Sequence, residues 1–123
     1  MSKRQGVNPK DLIGSKKPSI GLVPATAIIG IATCMEDGAV KYGPYNWREK
    51  EYPVLYTTYI NAAMRHILSY LDGEDCATDS GKEHIAHAMA SLAILYDAIA
   101  CDNAVDDRPI RGKAAGLIEW FSK

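Results

Sequence analysis

The three histidines of this chain lie in one stretch of the sequence, and their spacing predicts that they meet. His66 lies six residues before Asp72, and His84 and His87 lie four and seven residues after Ser80. If both segments are helices rising about 1.5 Å per residue, His66 lies roughly 9 Å below the turn between them, and the other two lie roughly 6 and 10 Å below it. Because His84 and His87 are spaced i and i+3, they also share a helix face. We therefore expect all three imidazoles at one level of a helix pair.

Carboxylates are concentrated in the predicted turn above these histidines, and Glu74 is the candidate general base among them. Imidazole nitrogens and carboxylates together suit a borderline transition metal. The predicted metal ligands are His66, His84, His87, Asp75 and Asp79. The alternative is a hydrogen-bonded network of histidines and acids that fixes the register of the helix pair, beneath a solvated acidic turn.

The most aromatic stretch, residues 41–53, interleaves rings with basic side chains. Tyr45 and Trp47 are candidates to stack a nucleobase, and Lys41 and Arg48 are candidates to bind its phosphates. In the alternative interpretation, the rings of Trp47 and its neighbours simply cover the hydrophobic core.

Two further basic residues are candidate phosphate ligands. Arg65 has the planar fork that suits phosphate, although it could instead pair with Asp72 or Glu74. Lys16 lies in the N-terminal arm, and it either contacts a phosphate or is solvated on a strap that crosses the helices.

The apolar periodicity of the chain predicts an all-α fold, a compact bundle of three main helices with a short C-terminal helix. An N-terminal arm, residues 1–23, is rich in Gly, Pro and Lys and is expected to be loop or extended. Leu117, Ile118, Trp120 and Phe121 are expected to pack in the last helix. The predicted helices span 24–42, 54–72, 80–101 and 113–121.

Composition places the chain among folded, single-domain proteins over residues 1–123. Apolar residues make up 47%, charged residues 24%, and the net charge is −1, which gives no electrostatic reason to bind nucleic acid polymers. No apolar run approaches the roughly 20 residues that span a bilayer. Three cysteines without CxxC spacing indicate reduced thiols, and a cytoplasmic location is expected.

Several motifs together resemble a phage-borne family, the dATP/dGTP diphosphohydrolase N-terminal domain, which is related to MazG-like all-α nucleotide pyrophosphohydrolases. The resemblance covers nearly the whole chain. The motifs are NPKDLIGSKKP at 8–18, LVP at 22–24, DGAVKYGPYNWRE at 37–49, AAMRHILSYLDGED at 62–75, DSGKEHIAHAMASLAIL at 79–95 and DDRP at 106–109.

This resemblance implies a helical, homo-oligomeric, metal-dependent enzyme. Its substrate would be a purine deoxynucleoside triphosphate, cut between the α- and β-phosphates to give monophosphate and pyrophosphate. MazG-like enzymes hold magnesium with ExxE and ExxD motifs. Here His84-Ile85-Ala86-His87 stands in place of ExxD, and Arg65-His66 stands in the region of ExxE. Since nitrogen ligands suit Mn, Fe, Co or Zn better than Mg, those metals are expected.

Three functions are compatible with these residues. The leading hypothesis is a metal-dependent nucleotide phosphohydrolase. The alternative is a non-catalytic protein that sequesters a nucleotide or a nucleotide-derived signal, in which case the ligand is released chemically intact. In the third, the polar cluster only specifies helix packing, and no nucleotide binds.

Overall fold

The computed structural model describes residues 6–123, which form five helices and one pair of very short strands. The elements are α1 (Pro9–Gly14), α2 (Ala25–Tyr42), β1 (Val54–Leu55), α3 (Tyr56–Leu71), α4 (His84–Ala100), β2 (Ala104–Val105) and α5 (Ala114–Phe121). Single 3-10 turns lie at Ile20–Leu22 and Asn46–Arg48. The predicted, mostly helical character is confirmed.

Helices α3 and α4 form an antiparallel pair. At one end, His66 near the end of α3 contacts His84 in the first turn of α4. At the other end, β1 immediately before α3 pairs in parallel with β2 just after α4, with Val54 beside Ala104. Gly73 ends α3 with a φ of +105°, a conformation that a glycine adopts without steric cost.

Helix α4 packs against both α2 and α3, and small side chains allow the close approach. Between α2 and α4, the buried residues are Cys34, Ala86 and Ala90. The second buried cluster lies nearer the C-terminal end of α4, where Leu95 and Ala98 pack with Trp47 and Val54. The core is therefore built on α4, which explains why that helix is rich in alanine.

Three details of the predicted secondary structure are wrong. Part of the arm is helical, because Asn8 caps α1 with its side chain and Pro9 occupies the first turn. Residues 1–5 of the predicted arm lie outside the described residues. The two-residue strands β1 and β2 were not expected, since runs this short carry no periodicity. Finally, α4 begins at His84 and not at Ser80.

The late start of α4 has a local cause. Residues 76–83 form a tight loop in which the Ala77 N–H donates to the Lys82 carbonyl, and Gly81 adopts a φ of +71°. The Ser80 hydroxyl contacts His87, and Glu83 is the N-cap residue of α4. Since the loop satisfies its own backbone groups, the helix starts only where the loop ends.

The C-terminal helix forms as predicted, but its apolar side chains are not packed. Leu117, Ile118, Trp120 and Phe121 are each more than half exposed. Within residues 6–123, no helix has the length and apolar character needed to span a bilayer.

Candidate functional site

The three predicted histidines meet. His66 Nδ1 lies 2.9 Å from His84 Nδ1, and His84 Nε2 lies 2.6 Å from the Oε1 atom of Glu74. The rings of His66 and His87 are stacked, with centroids 4.6 Å apart and planes within 10° of parallel. On the far side, His87 Nε2 contacts the Ser80 hydroxyl at 2.7 Å. We call His66, His84, His87, Glu74 and Ser80 the histidine cluster.

Hydrogen-bond partners assign the protons of the histidine cluster. As a carboxylate, Glu74 can only accept, so His84 donates from Nε2. When Nδ1 of His84 carries no proton, it accepts from the Nδ1–H of His66. This arrangement leaves a lone pair on Nε2 of His66. In this proton arrangement, Glu74 acts through His84 to leave Nε2 of His66 able to accept a proton.

Electrostatics keep His66 and His87 neutral near pH 7. Burial lowers the pKa of His66, and the neighbouring imidazoles of His87 and His84 lower it further. Burial also lowers the pKa of His87, while the carboxylate of Asp79 opposes that effect. Neutral imidazoles can accept a proton or bind a cation, which protonated ones cannot.

A cavity of about 860 Å³ opens between α2 and the α3/α4 pair, and His66 and His87 lie on its wall. Polar side chains from three elements surround them: Asp37 and Lys41 from α2, Arg65 from α3 and Asp79 from the loop before α4. The Lys41 ammonium lies 3.1 Å from the Asp37 carboxylate. We call this part of the wall the polar end.

The rest of the wall is mainly apolar and aromatic, with Glu36, Asn46 and Ser91 as its polar members, and we call it the aromatic end. Its rings are those of Tyr42, Tyr45, Trp47 and Tyr59. Tyr45 is half-exposed, and its ring lies 4.6 Å from the guanidinium carbon of Arg48. Its φ of +56° is unusual for a residue with a bulky side chain.

Asp97 of α4 holds the aromatic end in place. Arg48 donates to it from Nε at 2.8 Å and from Nη2 at 2.9 Å, and Trp47 donates from Nε1 at 2.7 Å. These hydrogen bonds, those from Arg48 first, lower the pKa of Asp97 to about 2. The Trp47 ring itself is only 8% exposed and packs in the core, with an edge on the cavity.

Asn103 ties the backbone of the same loop to the region after α4. Its side-chain amide donates to the carbonyls of Trp47 at 2.7 Å and Glu49 at 3.0 Å. Asn103 is 4% exposed, so these bonds are shielded from water. Residues 47–49 are therefore fixed from two sides, by Asp97 and by Asn103.

The other predicted site residues are dispersed. Glu74 is half-exposed and contacts His84. It does not line the cavity itself, so it can act there only through the histidines. Asp79 lies on the cavity wall, whereas the group of Asp75 that contacts the cluster is its carbonyl, which accepts from the His84 N–H. Lys16 follows α1 in an exposed segment, away from the residues that form the wall.

The predicted metal ligands do not form a closed cage. Across residues 6–123, no group of three or more His, Cys, Asp and Glu side chains is arranged to hold a metal ion. The chemistry of the donors explains this, because both ring nitrogens of His84 are already hydrogen-bonded. The metal itself stays a prediction.

Sequence reasoning missed Asp97, Asn103, Asp37 and the contact of Ser80 with His87. For Asp97 a signal existed, since it is a lone carboxylate in the apolar run LAILYDAIA. A charged group in such a helix needs a buried or half-buried partner. For Asn103 the sequence carries no comparable signal, because its partners are backbone carbonyls.

Comparison with known proteins identifies one family. The family model described as dATP/dGTP diphosphohydrolase, N-terminal, matches residues 7–108. No curated protein and no solved structure shows a significant match. The matched range includes the histidine cluster, both ends of the cavity and Asn103, and it ends before α5.

Proposed function

Because the chain belongs to the dATP/dGTP diphosphohydrolase N-terminal family, we propose that its cavity binds a purine deoxynucleoside triphosphate and hydrolyses it to monophosphate and pyrophosphate. The observation that carries the proposal is that a single cavity is lined by histidines and cations as well as by aromatic rings. Its volume lies in the range of small-molecule sites, about 300–1,000 Å³.

In this proposal the triphosphate lies at the polar end. Arg65 and Lys41 are the cations on that part of the wall, and they would neutralise charge that develops on the leaving pyrophosphate. The base would lie at the aromatic end and stack on the exposed ring of Tyr45. Trp47 and Arg48 would act indirectly, by holding Tyr45 in position, because Asp97 already engages both.

His66 is the proposed general base. Its Nε2 carries the lone pair that remains after the hydrogen bonds to His84 and Glu74 are assigned. It would remove a proton from a water molecule that attacks phosphorus, and the lowered pKa keeps it unprotonated at neutral pH. Glu74, predicted as the base, becomes the residue that orients His84.

A divalent ion, when bound, would supply positive charge to the triphosphate and increase the acidity of the attacking water. The side chains present do not form a cage for it, so we derive no step through the ion. Dependence on Mn, Fe, Co or Zn is a proposal for the assay below.

The same cavity would also serve a protein that binds a nucleotide without cutting it. The observation that favours this second candidate is that all three imidazoles are engaged by neighbouring side chains, as in a packing network. Both candidates place the nucleotide at the same site, so the fate of the ligand separates them.

Product analysis by chromatography tests the proposal. The protein is incubated with each deoxy- and ribonucleoside triphosphate, with EDTA or with Mg, Mn, Fe, Co or Zn. We expect monophosphate and pyrophosphate from dATP or dGTP, and loss of both products with His66→Gln. Tyr96→Ala, at an exposed position of α4, is the matched control and should retain activity. Intact nucleotide under every metal, together with a measurable Kd, would establish the binding candidate instead.

A further inference from the structure

Apart from the tyrosine hydroxyls, three polar side chains lie on the mainly apolar part of the cavity wall: Glu36, Asn46 and Ser91. Two of them adjoin residues of the polar end, because Glu36 precedes Asp37 on α2 and Ser91 lies one turn after His87 on α4. The third, Asn46, directly follows Tyr45, the ring on which the base is proposed to stack. Asn46 is therefore the polar side chain next to the proposed position of the base.

The side chain of Asn46 projects from a fixed loop without being engaged. Its backbone carbonyl accepts from the Glu49 N–H at 3.1 Å, and the next residue, Trp47, donates to Asp97. In the described part of the chain, no hydrogen bond engages the half-buried amide of Asn46, and no buried side-chain nitrogen or oxygen lacks a partner. The amide is therefore accessible, and it can bind a ligand without first losing an internal hydrogen bond.

Asn46 also borders a smaller cavity of about 450 Å³, which is lined by Tyr52 and Pro53 among others. Among the described residues of that wall, Glu49 is the only charged one. A triphosphate is disfavoured there, because no cation on the wall neutralises it and a carboxylate repels it. A nucleotide therefore reaches the amide of Asn46 from the larger cavity, whose cations are Lys41 and Arg65.

We propose that the amide of Asn46 recognises the substituent at C6 of the purine and accepts both adenine and guanine, an inference that rests on the proposed function. An asparagine amide offers an acceptor oxygen and a donor nitrogen, and a half-turn about its last torsion exchanges their positions. In one orientation it pairs with the amino group and N1 of adenine. In the other it pairs with the carbonyl and N1–H of guanine, so one side chain serves both bases.

Isothermal titration calorimetry on the full chain tests this inference with the α,β-methylene analogues of dATP and dGTP, which resist cleavage between those phosphates. Asn46→Asp leaves only acceptors, which suit the N1–H and exocyclic amino group of guanine but oppose N1 of adenine. We expect the ratio of the two Kd values to shift about 10- to 100-fold toward dGTP, the usual discrimination of a bidentate pair. Asn61→Asp makes the same charge change at an exposed position of α3 and should keep the wild-type ratio.

A purine without a C6 substituent tests the same contact from the side of the ligand. The wild type should bind the α,β-methylene triphosphate of deoxynebularine about tenfold more weakly than the dATP analogue. Asn46→Ala should bind the two equally, because the group that distinguishes them is gone. A merely structural role of Asn46 would weaken both ligands and leave the tenfold difference in place.

Two results would overturn the role of Asn46 while leaving the proposed function intact. One is an unchanged ratio of Kd values in Asn46→Asp with both nucleotides still bound. The other is an undiminished preference of Asn46→Ala for dATP over the deoxynebularine analogue, which decides the matter if Asn46→Asp does not fold. Absence of binding by the wild type to any analogue, with each metal present in turn, would instead overturn the proposed function and this inference with it.

Discussion

In the histidine cluster, the contacts join side chains that can exchange a proton, whereas at the aromatic end they join groups whose protonation is fixed at neutral pH. His66, His84 and Glu74 form a chain in which moving one proton changes the role of each member. By contrast, Asp97 stays ionised down to a pH of about 2. Both Arg48 and the Trp47 indole can only donate hydrogen bonds to it.

This difference separates chemistry from positioning. A general base must gain and lose a proton near neutral pH, so it belongs among groups with weakly held protons. A surface that stacks a ligand gains affinity from rigidity, so it belongs on a loop held by permanent charges and backbone bonds. The two ends of one cavity meet these two requirements with different residues.

The largest effect is expected from His84→Ala, which cuts the connection between Glu74 and His66. His66 then loses the partner that assigns its proton, and we expect turnover to fall about 10²- to 10⁴-fold, the usual contribution of general acid–base catalysis. Pyrophosphate release measures turnover, and circular dichroism should show near-wild-type helicity. Ile85→Ala, at the next and exposed position, is the control. Near-normal turnover in His84→Ala would remove the cluster from catalysis.

At the aromatic end the largest effect should be on stability. Asn103→Ala leaves the shielded carbonyls of Trp47 and Glu49 without their donor, at a cost of about 1–3 kcal/mol for each buried group. We expect the free energy of unfolding to fall by about 2–6 kcal/mol, measured by urea denaturation. Asn61→Ala, at an exposed position of α3, should change it by less than about 0.5 kcal/mol. A similar loss in both variants would contradict a special role for Asn103.

A substitution of Tyr45 should lower nucleotide affinity while leaving the stability of the fold almost unchanged. Tyr45→Gly relieves a left-handed conformation that costs about 1–2 kcal/mol, and it loses the ring contact with Arg48, worth about 0.5–1 kcal/mol. The free energy of unfolding should therefore change little. Nucleotide affinity should fall by about 1–3 kcal/mol if the ring stacks on the base. Isothermal titration calorimetry measures the affinity, and an unchanged Kd would exclude Tyr45 from the binding surface.

The sequence predicts well the features that depend on interactions between residues close together in the chain. Helix periodicity is local, so α2, α3 and α5 were placed within two residues of their bounds, and the rise per residue brought His66 to the level of His84. The loop before α4 depends on backbone bonds between residues 76 and 83, which no side-chain pattern encodes. That loop displaced the predicted start of α4.

Tertiary contacts of polar groups were the part that sequence could not supply. Asp97 reaches back about fifty residues to Trp47 and Arg48, and Asn103 binds backbone atoms that every residue has. The packing predicted for Trp120 and Phe121 was wrong because amphipathic spacing identifies an apolar face without identifying what covers it.

The smallest expected effect concerns the pH dependence of the free energy of unfolding, to which the histidine cluster and the aromatic end should contribute in different pH ranges. His66 and His87 have a lower pKa in the folded state than the ordinary 6.5, so the unfolded chain binds more protons below that pH. Stability due to neutral histidines is complete above pH 6.5 and is lost as the pH falls toward their folded pKa. For Asp97, the stability is complete above 3.8 and is lost only as the pH falls toward about 2.

Urea denaturation between pH 7.5 and 5 should therefore detect the histidine cluster alone. We expect the wild-type free energy of unfolding to decline across this range, and to decline less when His66→Gln and His87→Gln are combined. Asp97→Asn should lower the value at every pH while leaving the decline in place, because its own titration lies outside the range. If Asp97→Asn abolished the decline, the pH sensitivity would belong to the aromatic end. The two ends would then be coupled through α4, which carries His84 and His87 at its start and Asp97 near its end.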